Sequence, residues 1–196
     1  MLVLGVDTSL PLLSVALVKD GALIAAVAQQ GAGSRNEKLL PAIDWLLAES
    51  GVTRQQIELF AVTRGPGSFT GVRIGLATVQ GMALALDKPV CAMSTHEAIA
   101  AHDSITVVDD AGRGEFYVSR FEGGREVEAP HLASSIPADA LHIAQFIQSQ
   151  NVAAFVARRA ESIAANGDLA RYADITPIYV RLAEAEVKLQ QRSGGR

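Results

Sequence analysis

The sequence predicts an α/β fold in which a three-stranded meander leads into alternating helices and strands. Three observations carry that prediction. Residues 2–6 form a continuous apolar run that ends in the polar turn Asp7-Thr8-Ser9. Two further strand-like runs, 14–18 and 22–28, are joined by Lys19-Asp20-Gly21, a hairpin signal. From residue 34 onward, Ser or Thr followed three residues later by Glu or Gln recurs at the start of apolar segments.

Each element follows in order. Residues 31–33 read as a connector between the third strand and the first helix. Ser34-Arg35-Asn36-Glu37 is a capping box; Leu39, Leu40, Ile43, Leu46 and Leu47 follow at helical spacing, and Gly51 ends the helix. The box Thr53-Arg54-Gln55-Gln56 opens a short helix before a strand at 57–63. A helix over 74–86, a strand over 89–93 and a box at Ser94-Thr95-His96-Glu97 opening another helix complete a first lobe, 1–102. The pattern restarts near 101–104, so 103–180 is expected as a second, smaller lobe. Strands are predicted at 105–108, 115–121 and 125–128, the last two paired across Gly123-Gly124; a helix at 137–148 and a strand at 152–157 follow. Residues 181–196 read as a C-terminal helix, 184–191, and a frayed tail.

Composition narrows the function. Of 196 residues, 49% are apolar, enough for a real core. The net charge of −4, without a long basic run, argues against strong autonomous RNA binding. The single Cys91 sits in an apolar run and reads as a core residue, compatible with a reducing compartment. No basic leader precedes an apolar stretch, and the longest apolar candidate, 74–86, is too short to span a bilayer. A soluble, cytoplasmic chain without membrane contact is expected. His96, His102, His131 and His142 are scattered, read as surface or helix-flank residues, and give no metal ligand set; no cofactor is expected.

The densest chemical signal is Gly65-Pro66-Gly67-Ser68-Phe69-Thr70-Gly71-Val72-Arg73-Ile74-Gly75, four glycines in eleven residues between a strand and a helix. Without the lysine of a Walker A loop it does not cradle a triphosphate in that manner. Gly71, Gly75, Thr78, Gly81 and Ala85 place small residues along the following helix, where each interior glycine costs about 0.5–1 kcal/mol relative to alanine. Arg73 lies near the positive end of that helix, an unfavourable place that an acidic partner would offset. A docking surface explains both features; packing of the small face on the chain's own sheet is the competing explanation. Trp45, the only tryptophan, is read as either interface or core.

The glycine-rich run, together with Gly5-Val6-Asp7-Thr8-Ser9, closely resembles the bacterial TsaB family, also called YeaZ. Asp109-Asp110-Ala111-Gly112-Arg113-Gly114-Glu115-Phe116-Tyr117 and Pro177-Ile178-Tyr179-Val180-Arg181 are weaker matches. The resemblance implies the actin-like ATPase (ribonuclease-H-like) fold, with two lobes and a reduced second one. It also implies a non-catalytic subunit that binds and activates TsaD and helps recruit the ATPase TsaE. The implied product is N6-threonylcarbamoyladenosine at adenosine 37 of tRNAs reading ANN codons, with tRNA touched only indirectly. A homodimer through the same helices is implied when TsaD is absent.

The partner-binding residues expected on these grounds are Arg35, Lys38, Leu39, Ile43, Trp45, Ser68, Phe69, Thr70, Gly71, Val72, Arg73, Gly75, Thr78, Val79 and Met82. A vestigial nucleotide site would involve Asp7, Thr8, Ser9, Asp109 and Gly112, with Ser14 also near the phosphates. A side chain-rich stretch after the strand expected at 152–157, Arg158-Arg159-Ala160-Glu161, lacks the glycine that a bound adenosine needs. Two other functions stay open: an actin-fold Mg-ATP phosphotransferase built on Asp7 and Asp109, and a glycoprotease-like metallopeptidase. No catalytic residue is assigned.

Overall fold

A computed structural model describes residues 1–30, 35–101 and 103–181, with Arg35 and Asn36 described by backbone alone. The Ser34 cap, the 31–33 connector, His102 and the expected C-terminal helix lie outside the described residues. The first sheet has the order β3-β2-β1-β4-β5, from β1 (Leu2–Asp7), β2 (Leu12–Lys19), β3 (Ala22–Gln30), β4 (Leu59–Thr63) and β5 (Val90–Met93). β1, β2 and β3 pair antiparallel, whereas β1–β4 and β4–β5 pair parallel. A meander continued by parallel crossovers is the ribonuclease-H-like arrangement of the actin-like fold.

All six residues of β1 are buried, and their alternation divides the core. Leu2, Leu4 and Val6 point to a core shared with helix α1 (Arg35–Glu49) and helix α2 (Phe69–Leu86), whose inner faces contribute Leu39, Ile43, Leu46, Leu76 and Val79. Fully burying a leucine-sized side chain stabilises by about 1.5–3 kcal/mol, so these two helices owe their docking to that stripe. Val3 points the other way, into a core that runs through α3 (Thr95–Ala100) to the second sheet. That sheet has the order β8-β7-β6-β9, from β6 (Ile105–Gly112), β7 (Glu115–Glu122), β8 (Arg125–Ala133) and the two-residue β9 (Leu141–His142).

Several local expectations change. α2 begins at Phe69, five residues earlier than 74, because Ser68 caps it: its hydroxyl accepts the Gly71 N–H. At 18 residues and mean hydropathy 1.3, α2 is the one helix among the described residues long and apolar enough to cross a membrane, contrary to the length read from sequence. Its Val72, Leu76 and Val79 are spent on the sheet core. Thr53 opens only a 3-10 turn, Arg54–Gln56, where the Gln56 side chain accepts the Thr53 N–H. The helix expected over 137–148 shrinks to one turn, α4 (Ile143–Phe146). His96 is buried, not on the surface, because α3 packs against β6, β7 and β8.

The largest revision is at 152–157. This segment is not a strand but the start of helix α5 (Val152–Ala165), capped by Asn151, whose side chain accepts the Ala154 N–H. A short apolar run does not distinguish strand from helix, and the alanines at 153, 154, 157, 160, 164 and 165 decide for helix. The argument from a missing adenosine glycine after a strand there falls with it.

α5 lies across β1, β2 and β4, closing the second face of the first sheet. Ser14 is therefore not a phosphate-flanking residue; its buried hydroxyl accepts the Ala153 N–H. The Glu161 carboxylate accepts from the Asp20 and Gly21 N–H groups at the β2–β3 hairpin. The strands of the two sheets come from either side of residue 102, but α5 returns from the C-terminal half to the first sheet. Gly5 permits this close seat: a Cβ there would stand 2.1 Å from the Ala153 carbonyl oxygen. Gly5→Ala is expected to lose about 2–3 kcal/mol in urea unfolding as α5 is pushed outward. An unchanged midpoint would show that the helix does not sit this close.

Candidate functional site

The C-terminal end of β1 delivers Asp7 into a sealed position. Its Oδ1 accepts from the Ser9 hydroxyl (2.6 Å), the Ser9 N–H (3.2 Å) and the Thr63 hydroxyl (2.6 Å). Oδ2 is buried and makes no hydrogen bond among the described residues. Burial pushes the Asp7 carboxyl above its ordinary range, and the bonds from Ser9 and Thr63 oppose that shift. Ser9 in turn shares a 2.9 Å hydrogen bond with the Thr95 hydroxyl at the start of α3.

The glycine-rich run is built around this same turn. Thr8 donates its hydroxyl to the Gly71 carbonyl (2.7 Å), and the Ser68 N–H donates to the Ser9 carbonyl (2.7 Å). A Cβ on Gly71 would lie 2.0 Å from the Thr8 carbonyl oxygen, and one on Gly75 would lie 2.4 Å from the Thr8 hydroxyl. Both glycines are thus required by the chain's own β1–β2 turn, and packing inside the chain, not a partner, explains them. Gly81 has open space around it, and nothing in the structure accounts for it.

Between the two sheets lies a cleft of about 520 Å³, lined by Ser9, Gly67, Ser68, Asp109, Gly112 and Tyr117 among others. Of the five residues expected at a vestigial nucleotide site, Ser9, Asp109 and Gly112 reach it. Asp7 and Thr8 are buried behind them. Asp109 and Asp110 lie within β6, not at its end. The Asp109 carboxyl is pushed up to about 6, chiefly by burial, with repulsion from Asp110 and Asp7 added. His96 also stands buried, its Nδ1 2.8 Å from the Ser119 hydroxyl; burial lowers it to about 3, leaving it neutral. Among the described residues no group of three His, Cys, Asp or Glu side chains is placed to hold a metal ion.

The outward face of α1 and α2 is the second candidate. Leu39, Ile43, Gly71, Val72, Gly75 and Val79, all expected to touch a partner, are instead buried inside this chain. The apolar period that nominated them marks the core face. Lys38, Ser68, Thr78 and Met82 are half-buried, and Phe69, Thr70, Arg73 and Trp45 are exposed. The outward stripe of α2 reads Thr70, Arg73, Ala77, Gly81 and Leu84, at intervals of three and four residues. Leu84 is 83% exposed, Trp45 53% and Leu40 49%. Sequence reading missed Leu40 and Leu84; a second apolar residue beside each core position was the available signal.

A family model described as TsaD, tRNA N6-adenosine threonylcarbamoyltransferase, matches residues 30–178. The chain belongs to the TsaD family, on its TsaB, or YeaZ, side. It is similar to the tRNA threonylcarbamoyladenosine biosynthesis protein TsaB of Haemophilus influenzae, 40% identical over 126 residues, 60% of this chain and 52% of the relative. The TsaB of Bacillus subtilis is 32% identical over 127 residues, 62% of this chain and 56% of the relative. The chain spans about half the length of these curated relatives. The solved structure "YeaZ from Pseudomonas aeruginosa" superposes with a TM-score of 0.71 at 26% identity, covering 91% of this chain and 99% of that one.

Asp109 gives the cleft a measurable signature. With its carboxyl at about 6 against an ordinary 3.8, the folded chain holds a proton that the unfolded chain has released. The stability this contributes is full below the unfolded value and is lost as pH rises through the folded one. Asp109→Asn is expected to exceed wild type in stability by on the order of 1–2 kcal/mol near neutral pH, with no advantage at about pH 4. Urea midpoints at both pH values check this, and the same difference at both would contradict a raised Asp109 carboxyl.

Proposed function

We propose that this chain is a non-catalytic subunit in the synthesis of N6-threonylcarbamoyladenosine at adenosine 37 of tRNAs reading ANN codons. It binds and activates the catalytic subunit TsaD through the outward face of α1 and α2, and it helps recruit the ATPase TsaE. It works in the cytoplasm and meets tRNA only through its partners. Alone, it forms a homodimer through the same face.

One observation carries the reading: large apolar side chains, Leu40, Trp45 and Leu84, stand exposed on the two helices whose inner faces already complete the core. Exposed tryptophan is of the residue type enriched at interface hot spots, and exposed leucines beside it add apolar area for a partner to cover. The cleft supports it from the other side, since Asp7 is fully buried and its Oδ1 is already engaged by Ser9 and Thr63. A stable heterodimer buries roughly 800 Å² per partner, within reach of two adjacent helix faces.

Co-purification with the host's TsaD tests this. Wild type is expected to form a one-to-one complex, and Leu84→Asp to weaken it by about tenfold or more, roughly 1.4 kcal/mol, while its own unfolding midpoint barely moves. Threonylcarbamoyladenosine in tRNA, measured by nucleoside mass spectrometry, should fall in parallel. Full-strength association of Leu84→Asp would remove this face from the interface.

The Mg-ATP phosphotransferase reading is favoured by one feature, the buried Asp7 Oδ2, which makes no hydrogen bond among the described residues. Saturable ATP binding that Asp109→Asn and Asp7→Asn both abolish would establish it, and flat titrations in magnesium buffer would remove it.

A further inference from the structure

The stretch 177–181, singled out in the sequence, has no place yet in the docking face. In the structure it belongs to a strap, residues 173–181, that leaves the 3-10 turn Leu169–Tyr172 and crosses the glycine-rich loop. Arg64 holds its first half, donating to the Asp174 carboxylate (3.1 Å) and the Thr176 carbonyl (3.2 Å). The Ile178 N–H donates to the Arg64 carbonyl at 2.7 Å. Beyond Tyr179, Arg181 pairs with Glu115 and reaches the Gly112 carbonyl at 3.5 Å. Tyr179 is therefore fixed from both sides.

Its ring lies 4.8 Å from that of Phe69, tilted by 30°. Over this pair sits Arg73, its guanidinium carbon 4.0 Å from the Phe69 centroid and 5.5 Å from that of Tyr179. Its Nε donates to the Tyr179 hydroxyl at 2.6 Å. The two terminal nitrogens make no hydrogen bond or ion pair among the described residues, and Arg73 is exposed. Within the α2 sequence FTGVRIGLATVQGMALAL it is the single charge, one turn from the positive end of the helix dipole. Two rings and a hydroxyl thus hold a cation where its own helix disfavours it, with its forked end turned to solvent.

Resting on the docking reading above, we propose that Arg73, oriented by Phe69 and Tyr179, is a preformed receptor for a carboxylate side chain on the partner subunit, and that the strap is part of the docking face. A guanidinium whose Nε is engaged presents its two terminal nitrogens to one carboxylate, a geometry that lysine does not reproduce. Arg73 shares its stripe with Leu84, so the carboxylate falls at one end of an interface whose other end is apolar. Phe69 and Tyr179 act as positioning residues, and the ordering cost of a long side chain is met before binding.

The experiment measures the affinity of the full chain for the host's TsaD across a sodium chloride series. The variants are Arg73→Gln, Arg73→Lys, Tyr179→Phe and Leu84→Asp. Arg73→Gln is expected to weaken binding about tenfold and to flatten the salt dependence. Arg73→Lys should keep the salt slope yet recover only part of the affinity, and Tyr179→Phe, which keeps the ring but loses the acceptor for Nε, should fall between wild type and Arg73→Gln. If Leu84→Asp weakens binding while Arg73→Gln matches wild type at every salt concentration, the carboxylate receptor is wrong and the docking face stands. Loss of affinity in a Glu184→Gln, Glu186→Gln double variant equal to that in Arg73→Gln would make the carboxylate the chain's own and overturn the proposal. Absence of any complex with wild type would overturn both readings.

Discussion

β1 is hydrogen-bonded on both edges, to β2 and β4, and buried on both faces. Leu2, Leu4 and Val6 hold the α1–α2 layer, while Val3 and the bare backbone of Gly5 accept α5. A strand covered twice reads as a continuous apolar run, which is how 2–6 appears in the sequence. The chain leaving its end has little freedom: Asp7 is fastened by Ser9 and Thr63, and Thr8 is wedged against Gly71 and Gly75. The placement of α2, and with it the exposed stripe, follows from that one strand.

The same constraint separates two regions that a shared fold would lead one to merge. The cleft between the sheets retains Ser9, Asp109 and Gly112, yet the acid at the end of β1 is turned into the protein. Side chains that would face a ligand are occupied in holding elements together: Ser14 fastens α5, and Thr8 fastens α2. The ionisable groups that line the cleft are Asp109, Asp110 and Tyr117, whereas the helical face exposes Leu40, Trp45 and Leu84.

Much of this was legible before the structure. The meander, the Lys19-Asp20-Gly21 hairpin, the Ser94 cap and the buried Cys91 follow from local rules, because turn chemistry and period 2 or 3.6 need no tertiary information. The 152–157 segment was not, since six apolar residues satisfy strand and helix alike, and its Asn151 cap was the overlooked sign. On α1 and α2 the sequence nominated core-facing and exposed residues together, and the structure separates them. Leu39, Ile43 and Val79 stood out because they are periodic, and periodicity reports the core. Gly71 and Gly75 resembled an invitation to another helix, and only the position of Thr8, sixty-odd residues away in the chain, reveals what fills the space. Tyr179 lies in one of the weaker family matches, and no local pattern connects it to Arg73.

The two sides of α2 leave different room for substitution. On the inside, Gly71 and Gly75 admit no side chain at all, and Val72, Leu76 and Val79 fill fixed volumes in the sheet core. On the outside, Ala77, Gly81 and Leu84 are exposed. Substitution is therefore confined on the inside by the chain's own architecture and left open on the outside by the fold itself. The outer stripe can co-vary with a partner's surface, turn by turn, while the fold beneath it stays still.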